Sequence, residues 1–425
     1  MRVAASSRRK AMGLIAAAPL SACARPTAGS TKLRFWAMGR EGEVVQALLP
    51  AFERANPGIS VSVQQLPWSA AHEKLLTAFA GDDLPDVGQI GNTWLPEFVA
   101  LGAVDRLDEA VSASPDIRAG DYFAGIWATN VVGGGLYGIP WYVDTRLLFY
   151  RPDLLARAGQ GAAPVTWAQW LAAMRAIKAG AGPGQFAALL PLNEYEPLLA
   201  LALQQSDPLI TPEGRGNFRS PGFERALRFY ADIFALGLAP VATDSEIANV
   251  WSEFGAGRFA FYISGPWNIG EFKRRLPASQ QGAWMTAPLP GPGGPGASIA
   301  GGSSLVVFNR SRHKAAAWRL IEHLSAPEVQ ARFHALTGDL PPRRSAWSAP
   351  GLAGDIYARA FRDQLERVKP VPKIPEWERI ATEMGLVAEE VVRRGLAIDR
   401  AAAELDRRAD AILEKHRWML ARGRA

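Results

Sequence analysis

Several polar and aromatic residues lie where predicted strands end. Glu41 follows one predicted strand and opens the next helix, and Asn92, Thr93 and Trp94 follow another strand. A carboxylate can accept hydrogen bonds from two neighbouring hydroxyl groups, and an indole can cover a flat apolar face of a ligand. Ligands bind beyond the carboxyl ends of strands in open α/β sheets. These residues are therefore candidates for a non-covalent binding site.

Each of these positions also has a purely structural explanation. An acid in the first turn of a helix, such as Glu41, is stabilised by the helix dipole. Asn92 or Thr93 can cap the helix that follows, and Trp94 can pack in a core. The sequence leaves both explanations open.

Motifs for covalent, phosphate or metal chemistry are missing from the sequence. It contains no GxxxxGK[ST] phosphate loop and no GxSxG nucleophile elbow. No histidine forms a metalloprotease pair, because the five histidines are scattered: His72, His313, His323, His334 and His416. We therefore expect no catalytic residue, no metal site and no cofactor, and we do not expect an enzyme.

The order of the predicted elements indicates an α/β fold. The first part of the chain alternates strands at 32–36, 59–65 and 86–90 with helices at 41–56, 70–80 and 93–101. This order predicts a parallel sheet covered by helices. Further strands are predicted at 136–139, 145–150, 260–264 and 303–309, and further helices at 166–178, 221–236, 314–324, 327–335 and 400–420. The Pro/Gly-rich stretch 288–296 is predicted to be a loop that crosses between two lobes.

Length and composition limit the architecture. A chain of 425 residues is too long for one core and suggests two domains. A single cysteine excludes an intramolecular disulfide. Four of the 47 basic residues lie in the first ten positions, and removing them leaves 43 basic against 41 acidic residues. This balance gives no electrostatic footprint for nucleic acid.

The N-terminus has the pattern of an export signal. Basic residues precede the apolar stretch 11–20, which is too short to span a bilayer, and Leu-Ser-Ala then leads to Cys23. This pattern resembles the lipobox of bacterial lipoproteins, in which the cysteine is acylated after cleavage. Plain secretion is the alternative. The adjacent arginines Arg8 and Arg9 leave general and twin-arginine export both open.

Four stretches carry a resemblance to a known family: 85–98 (with PDV, NTW and PEF), 137–146 (YGIPWYVDTR), 265–272 (GPWN and EF) and 301–304 (GGSS). From about residue 32 to 420 the chain resembles the family-1 extracellular solute-binding proteins. These are the maltose-binding-protein-like receptors of carbohydrate ABC importers. The resemblance implies the α/β two-lobe periplasmic-binding-protein type II fold, with a hinge and a ligand cleft between the lobes.

The resemblance also implies domain boundaries and partners. We expect a signal peptide at 1–22, a tether at 23–31, a first lobe at 32–140 and 299–342, and a second lobe at 141–298 and 343–425. The expected partners are a small carbohydrate, the permease subunits of an ABC importer, and the membrane through lipid on Cys23. We expect a monomer outside the cytoplasm, lipid-anchored or in the periplasm.

The resemblance implies a set of ligand-binding residues. These are Glu41, Asn92, Thr93, Trp94, Trp141, Tyr142, Asp144, Asn193, Glu194, Tyr195, Trp267, Gly301, Gly302, Arg343 and Arg344. Asp144 would accept hydroxyl groups or, alternatively, pair with Arg146. Relatives carry tryptophan where this chain has Tyr195, and one of the two adjacent arginines would reach into the cleft.

Three functions compete at this point. The first is capture of a di- or oligosaccharide by closing lobes, which hand it to a permease. The second is binding of a glycerophosphodiester or another polar solute by the same fold, which Arg343 and Arg344 would favour. The third is a secreted glycosidase that uses two carboxylates such as Glu41 and Asp144.

The lipobox interpretation predicts the behaviour of a Cys23→Ser variant. Without the thiol there is no site for acylation, so the variant should be exported but released from the membrane, or should remain unprocessed. Membrane fractionation and the size of the processed chain measure this. A processed variant of unchanged size that stays on the membrane would contradict the interpretation.

Overall fold

A computed structural model describes residues 30–247 and 249–422. The predicted signal peptide and Cys23 lie outside these residues. The strands are β1 (Thr31–Met38), β2 (Ile59–Leu66), β3 (Val87–Gly91), β4 (Val131–Val132), β5 (Gly135–Leu136), β6 (Ile139–Asp144), β7 (Leu147–Tyr150), β8 (Ala188–Leu189), β9 (Phe261–Ser264), β10 (Met285–Ala287), β11 (Ser298–Ile299), β12 (Gly301–Val307) and β13 (Val368–Lys369).

Helices cover most of the remaining chain. They are α1 (Gly39–Val44), α2 (Leu49–Ala55), α3 (Trp68–Ala80), α4 (Leu95–Ala100), α5 (Asp108–Ala113), α6 (Ala124–Ala128), α7 (Pro152–Arg157), α8 (Trp167–Ala179), α9 (Glu196–Leu203), α10 (Pro221–Ala235), α11 (Val250–Gly255), α12 (Trp267–Arg275), α13 (Lys314–Ser325), α14 (Pro327–Thr337), α15 (Pro350–Ala353), α16 (Ala358–Leu365), α17 (Trp377–Arg394), α18 (Ile398–Ile412) and α19 (Glu414–Leu420). Short 3₁₀ turns occupy Val45–Ala47, Ala119–Asp121, Asp244–Glu246, Ala278–Gln280 and Arg344–Ser348.

The first lobe is built on a five-stranded sheet with the order β2-β1-β3-β12-β6. Strand β1 pairs parallel with both β2 and β3, as the alternation of strands and helices predicts. Strand β12 comes from much later in the chain and pairs antiparallel with β3 and β6. The carboxyl ends of β1 and β3 lead into α1 and α4, so residues from both turns meet at one edge of the sheet.

The helix predicted at 41–56 is two helices separated by a 3₁₀ turn. Pro50 lies in the first turn of α2. Proline has no backbone N–H and its ring clashes with the carbonyl four residues earlier, so it ends one helix and starts another. The apolar periodicity that predicted a continuous helix survives because both pieces pack on the same core.

The second lobe is built on a four-stranded sheet with the order β10-β7-β9-β8. Strand β8 is parallel to β9, and the other neighbours are antiparallel. Helix α8 begins at a capping box, in which the Thr166 hydroxyl accepts from the Gln169 N–H and the Gln169 side chain accepts from the Thr166 N–H. Helices α10, α17 and α18 bury their apolar faces in the largest core cluster.

The segment 140–144, predicted to separate two strands, is itself most of β6. It pairs with β12 in the first sheet, so residues 141–144 belong with the first lobe and not with the second lobe as predicted. Trp141 points into the core of that lobe, where its ring stacks on Phe333 at a centroid distance of 4.5 Å. The ring of Tyr142, the next residue, also lies near Phe333, at a centroid distance of 6.3 Å, because the register of β6 against β12 shifts at this point.

The loop at 288–296 lies against the second lobe and does not cross between lobes. The Trp167 N–H donates to the Gly291 carbonyl at 2.8 Å, and the Gln204 side chain donates to the Pro290 carbonyl at 3.1 Å. The chain returns to the first sheet after this loop, between β11 and β12. It also passes between lobes after β6 and again after α14, so three crossings form the hinge.

Among residues 30–247 and 249–422, no helix combines the length and the apolar character needed to span a membrane.

The buried position of Trp141 predicts a large loss of stability on truncation. Trp141→Ala removes a side chain that is 1 % exposed, and we expect the first lobe to lose about 3–5 kcal/mol of unfolding free energy. Urea unfolding followed by circular dichroism measures this. Trp418→Ala is the matched control, because Trp418 is 51 % exposed and its loss should change stability little. Equal effects of the two variants would contradict the assignment of Trp141 to the core.

Candidate ligand-binding cleft

A cavity of about 420 Å³ lies between the two lobes. Its wall is formed by Glu41, Trp68, Gly91, Asn92, Thr93, Trp94, Tyr142, Asp144, Arg146, Tyr195, Glu196, Leu199, Trp267, Ile299, Gly301, Gly302, Asp339, Val371, Trp377 and Glu378. Both lobes and the crossings contribute to it. The volume is in the range typical of small-molecule sites.

Glu41 lies in the first turn of α1, where the chain leaves β1 through Gly39. A Cβ at Gly39 would lie 2.8 Å from the Trp68 ring and 3.0 Å from Glu41 Oε2, and the backbone there has a φ of +48°. Glycine at this position therefore lets Trp68 and the Glu41 carboxylate share one corner of the cavity. Burial raises the pKa of Glu41, and hydrogen bonds from Tyr142 and Trp68 offset part of the increase.

Asp339 faces Glu41 from the third crossing. Helix α14 ends at Gly338, whose left-handed backbone (φ +87°) turns the chain toward the cavity. The Leu340 carbonyl then accepts from the Val143 N–H at 2.9 Å, which fixes the crossing on β6. Burial raises the pKa of Asp339 well above its ordinary value, and the neighbouring charge of Glu41 raises it further. The native state therefore holds protons on these two buried carboxyls more tightly than the unfolded chain does.

Arg146 joins both lobes at the floor of the cavity. Its Nη1 donates to Asp144 at the end of β6, and its Nη2 donates to Glu196 at the start of α9 at 2.8 Å. The guanidinium also lies over the Trp267 ring, 4.8 Å from the ring centroid. Burial raises the pKa of Asp144, and the Arg146 charge counteracts this. The ion pair that the sequence left as an alternative role of Asp144 is thus present, while Asp144 still lines the cavity.

Trp267 begins α12 directly after Gly265 and Pro266. A Cβ at Gly265 would lie 1.8 Å from the Trp267 ring, so glycine at this position lets the ring fold back onto the backbone. Arg146 covers one part of the indole, and the remainder borders the cavity. The geometry provides a flat apolar wall in the second lobe.

Gly301 and Gly302 lie opposite Asp144 and Val143 on β6. A Cβ at Gly301 would lie 2.2 Å from the Asp144 carbonyl oxygen, and one at Gly302 would lie 2.2 Å from the Tyr142 carbonyl oxygen. Glycine is required here by the close pairing of β12 with β6. The absence of side chains also leaves the cavity open at this edge.

Asn92, Thr93 and Trp94 follow β3, as predicted. Asn92 Oδ1 accepts from the Ser304 hydroxyl at 3.0 Å, and its buried Nδ2 has no protein partner among the described residues. Trp94 packs its ring against Gly91 and against Trp68, whose ring centroid is 5.6 Å away. The first lobe therefore supplies an aromatic wall and a free amide donor.

Glu378 and Tyr195 of the second lobe face Thr93 of the first lobe. The Tyr195 hydroxyl donates to Glu378 Oε2 at 3.5 Å. Burial raises the pKa of Glu378, and a hydrogen bond from the Thr93 side chain lowers it in part. Residues of both lobes therefore border the cavity at this point.

Five predicted residues lie outside the cavity wall. Trp141 is in the core of the first lobe, as described above. Asn193 is bound to Asp244, whose N–H donates to Asn193 Oδ1 at 2.9 Å. Glu194 lies behind the wall, where burial raises its pKa to about 8.

The two adjacent arginines bind the hinge instead of entering the cleft. Arg343 donates to Asp121 at 2.7 Å and to the Ser325 carbonyl at 2.8 Å, so its guanidinium is hydrogen-bonded within the first lobe. Arg344 donates to Glu366 at 2.7 Å and to the Tyr122 carbonyl. The expectation that one of them reaches the ligand is therefore corrected by the structure.

Sequence reasoning missed about half of the wall. Trp68 and Asp339 follow a predicted strand and a predicted helix, so a search of element ends could have found them. Trp377 and Glu378 begin a helix far along the chain, where no local signal marks a cleft. Leu199, Ile299 and Val371 are apolar residues that look like any core position.

The chain matches the model of the bacterial extracellular solute-binding proteins over residues 37–331, and it belongs to this family. It is similar to the sugar-binding protein MalE from the phytopathogen Xanthomonas citri, with 57% sequence identity and a TM-score of 0.90 over 92% of this chain and 99% of that chain. It is 24% identical to the diacetylchitobiose-binding protein DasA of Streptomyces coelicolor, over 84% of this chain and 83% of that protein.

The fold is also that of the GacH receptor of Streptomyces glaucescens, at a TM-score of 0.77 over 91% of this chain and 99% of that chain, with 24% identity. The two-lobe fold with an interlobe cleft, which the sequence predicted, is thereby confirmed.

The buried carboxyl pair predicts a pH dependence of stability. Because the pKa values of Glu41 and Asp339 are raised in the native state, the native chain retains protons that the unfolded chain releases above about pH 4. Stability should therefore fall as the pH rises. Asp339→Asn should increase the melting temperature at pH 7 and flatten its decline between about pH 5 and about pH 8.

Thermal unfolding without ligand measures this effect, with the exposed Asp116→Asn as the control. The same pH profile in native protein and Asp339→Asn would contradict the raised pKa of Asp339.

Proposed function

We propose that this protein captures a di- or oligosaccharide between its two lobes and delivers it to the permease of an ABC importer. The observation that carries the proposal is the combination of buried carboxylates with aromatic walls from both lobes. Glu41, Asp144 and Asp339 offer acceptors for sugar hydroxyls, and Trp94 and Trp267 offer flat faces for sugar rings. The likeness to a sugar-binding protein at 57% identity supports it.

The three connections between the lobes favour capture of the ligand by closure of the lobes around it. The cavity is shared by two lobes that three short connections join, and a ligand that contacts both lobes stabilises the closed arrangement. Thr93 and Glu378 line the cavity from opposite lobes, so closure would bring them together. A permease can then distinguish the ligand-stabilised closed form from the open form.

Binding without chemistry is favoured over hydrolysis. A glycosidase needs one carboxylic acid and one free carboxylate on either side of the scissile bond. Here Asp144 is ion-paired with Arg146, and burial disfavours the ionised form of both Glu41 and Asp339. We therefore propose that the chain is not an enzyme and that the sugar leaves unaltered.

The proposal includes the location of the protein. An exported chain held by lipid on Cys23, outside the cytoplasmic membrane or in the periplasm, would present its cleft to external sugars as a monomer. Membership of an extracellular solute-binding family supports export.

A thermal-shift screen tests the function. A ligand that binds only the native state raises the melting temperature, by an amount that grows with its concentration relative to Kd. We expect at least one neutral di- or oligosaccharide to do so and to be recovered unchanged. No shift with any of a broad set of sugars, or release of a hydrolysis product, would contradict the proposal.

Trp267 should form one wall of the sugar site. Trp267→Ala removes an apolar face, so we expect the sugar identified by the screen to bind about 1.5–3 kcal/mol more weakly in calorimetry. Its fluorescence response to the sugar should also shrink. Trp418→Ala is the control, since Trp418 lies on the terminal helix α19, and it should retain the native response. Unchanged affinity in Trp267→Ala would remove this residue from the site.

A further inference from the structure

The cavity wall is strongly acidic. It contains five carboxylates and one cation: Glu41, Asp144, Glu196, Asp339, Glu378 and Arg146. The chain as a whole is slightly basic, so this local excess is a property of the cleft. The charge of a solute should therefore affect how tightly it binds in the cleft.

The single cation of the wall is already neutralised. Arg146 binds Asp144 and Glu196 through separate nitrogens and packs its face on Trp267. Its side chain is only 11 % exposed. An incoming anion would have to compete with these two carboxylates for the guanidinium, and its charge would add to theirs.

Other cations near the cleft are also engaged. His72 Nε2 is hydrogen-bonded to Glu97 Oε2 at 2.7 Å. Lys373 Nζ donates to the Val131 carbonyl at 2.7 Å. Arg343 and Arg344 bind Asp121 and Glu366 at the hinge. Each of these groups already has a protein hydrogen-bond partner, and none of them lines the cavity.

Two helices also begin at the cavity and carry acids in their first turns. Glu196 is in the first turn of α9, and Glu378 is in the first turn of α17. A helix N-terminus attracts anions through its free N–H groups and its dipole. At both helices a carboxylate of the chain itself already interacts with the N-terminus, so that N-terminus is less available to an anionic ligand.

We infer that the cleft selects its solute by charge: it admits uncharged sugars and excludes solutes that carry a phosphate or a carboxylate. The inference rests on the proposed function and narrows it, because it excludes the glycerophosphodiesters that the same fold could otherwise accommodate. Two unit charges about 6 Å apart at an effective dielectric constant of about 20 repel each other enough to change binding about a hundredfold. Partial protonation of the Glu41–Asp339 pair reduces this effect, so we expect at least about tenfold.

The test compares matched probes on the full chain. The neutral sugar from the thermal-shift screen, its C6-carboxylate and its C6-phosphate are titrated by calorimetry, together with glycerophosphoglycerol and glycerol 3-phosphate, which both carry a net negative charge. The two charged sugar derivatives should bind at least about tenfold more weakly than the neutral sugar, and the glycerol esters should not bind. Added salt should narrow the difference.

Glu196→Gln tests the cause of the selection. The glutamine retains an oxygen that accepts from Arg146, but it leaves part of the guanidinium charge uncompensated. The ratio of neutral to charged sugar affinity should fall by about tenfold. Glu109→Gln removes one unit of charge on an exposed helix outside the cavity and should leave the ratio unchanged. If Glu196→Gln lowers the melting temperature, Glu378→Gln replaces it as the test variant. It should lower the same affinity ratio.

The outcomes separate this inference from the proposed function. Equal affinity for the neutral sugar and its charged derivatives overturns charge selection and leaves sugar capture intact. Binding of glycerophosphoglycerol or glycerol 3-phosphate by the native chain overturns it whether or not a sugar binds. Failure of every sugar, with the anionic probes also unbound, contradicts sugar capture and upholds the exclusion of anions.

Discussion

The arrangement of Arg146 between two carboxylates of different lobes is the interaction on which the cleft depends. Asp144 ends the edge strand of the first sheet, and Glu196 begins a helix of the second lobe. One guanidinium satisfies both and supports the Trp267 ring. Removing one partner of a buried ion pair leaves an uncompensated charge, which costs more than the pair contributes. The position of each of these side chains therefore depends on the others.

The glycines of the cleft have a related role. Gly39, Gly265 and Gly301 each allow an atom to lie where a Cβ would collide. In each case the atom that takes the space belongs to a residue of the wall or to the strand that carries one. The shape of the cavity is thus set as much by the side chains that are missing as by those that line it.

The sequence predicted what local patterns can encode. Strand and helix order, the capped start of α8 and the turns after β1 and β3 all follow from periodicity and end signals. The strand containing Trp141 and Tyr142 was missed because its polar and aromatic residues resemble a loop, although one faces a core and the other a cleft. No local sequence pattern around Arg343 and Arg344 indicates that they pair with Asp121 and Glu366 at the hinge. Long-range partners of this kind are decided by tertiary packing.

Strand β12 lies between β3 and β6, although the chain between β6 and β12 builds most of the second lobe. Until residues 301–307 have been synthesised, the central strand β3 has an unpaired edge and β6 has no sheet to join. Non-local pairing of this kind forms slowly and late, because a long loop must close first. A nascent chain therefore cannot complete its first lobe early in synthesis. This delay leaves the N-terminal part of the first lobe incompletely paired until most of the second lobe has been made.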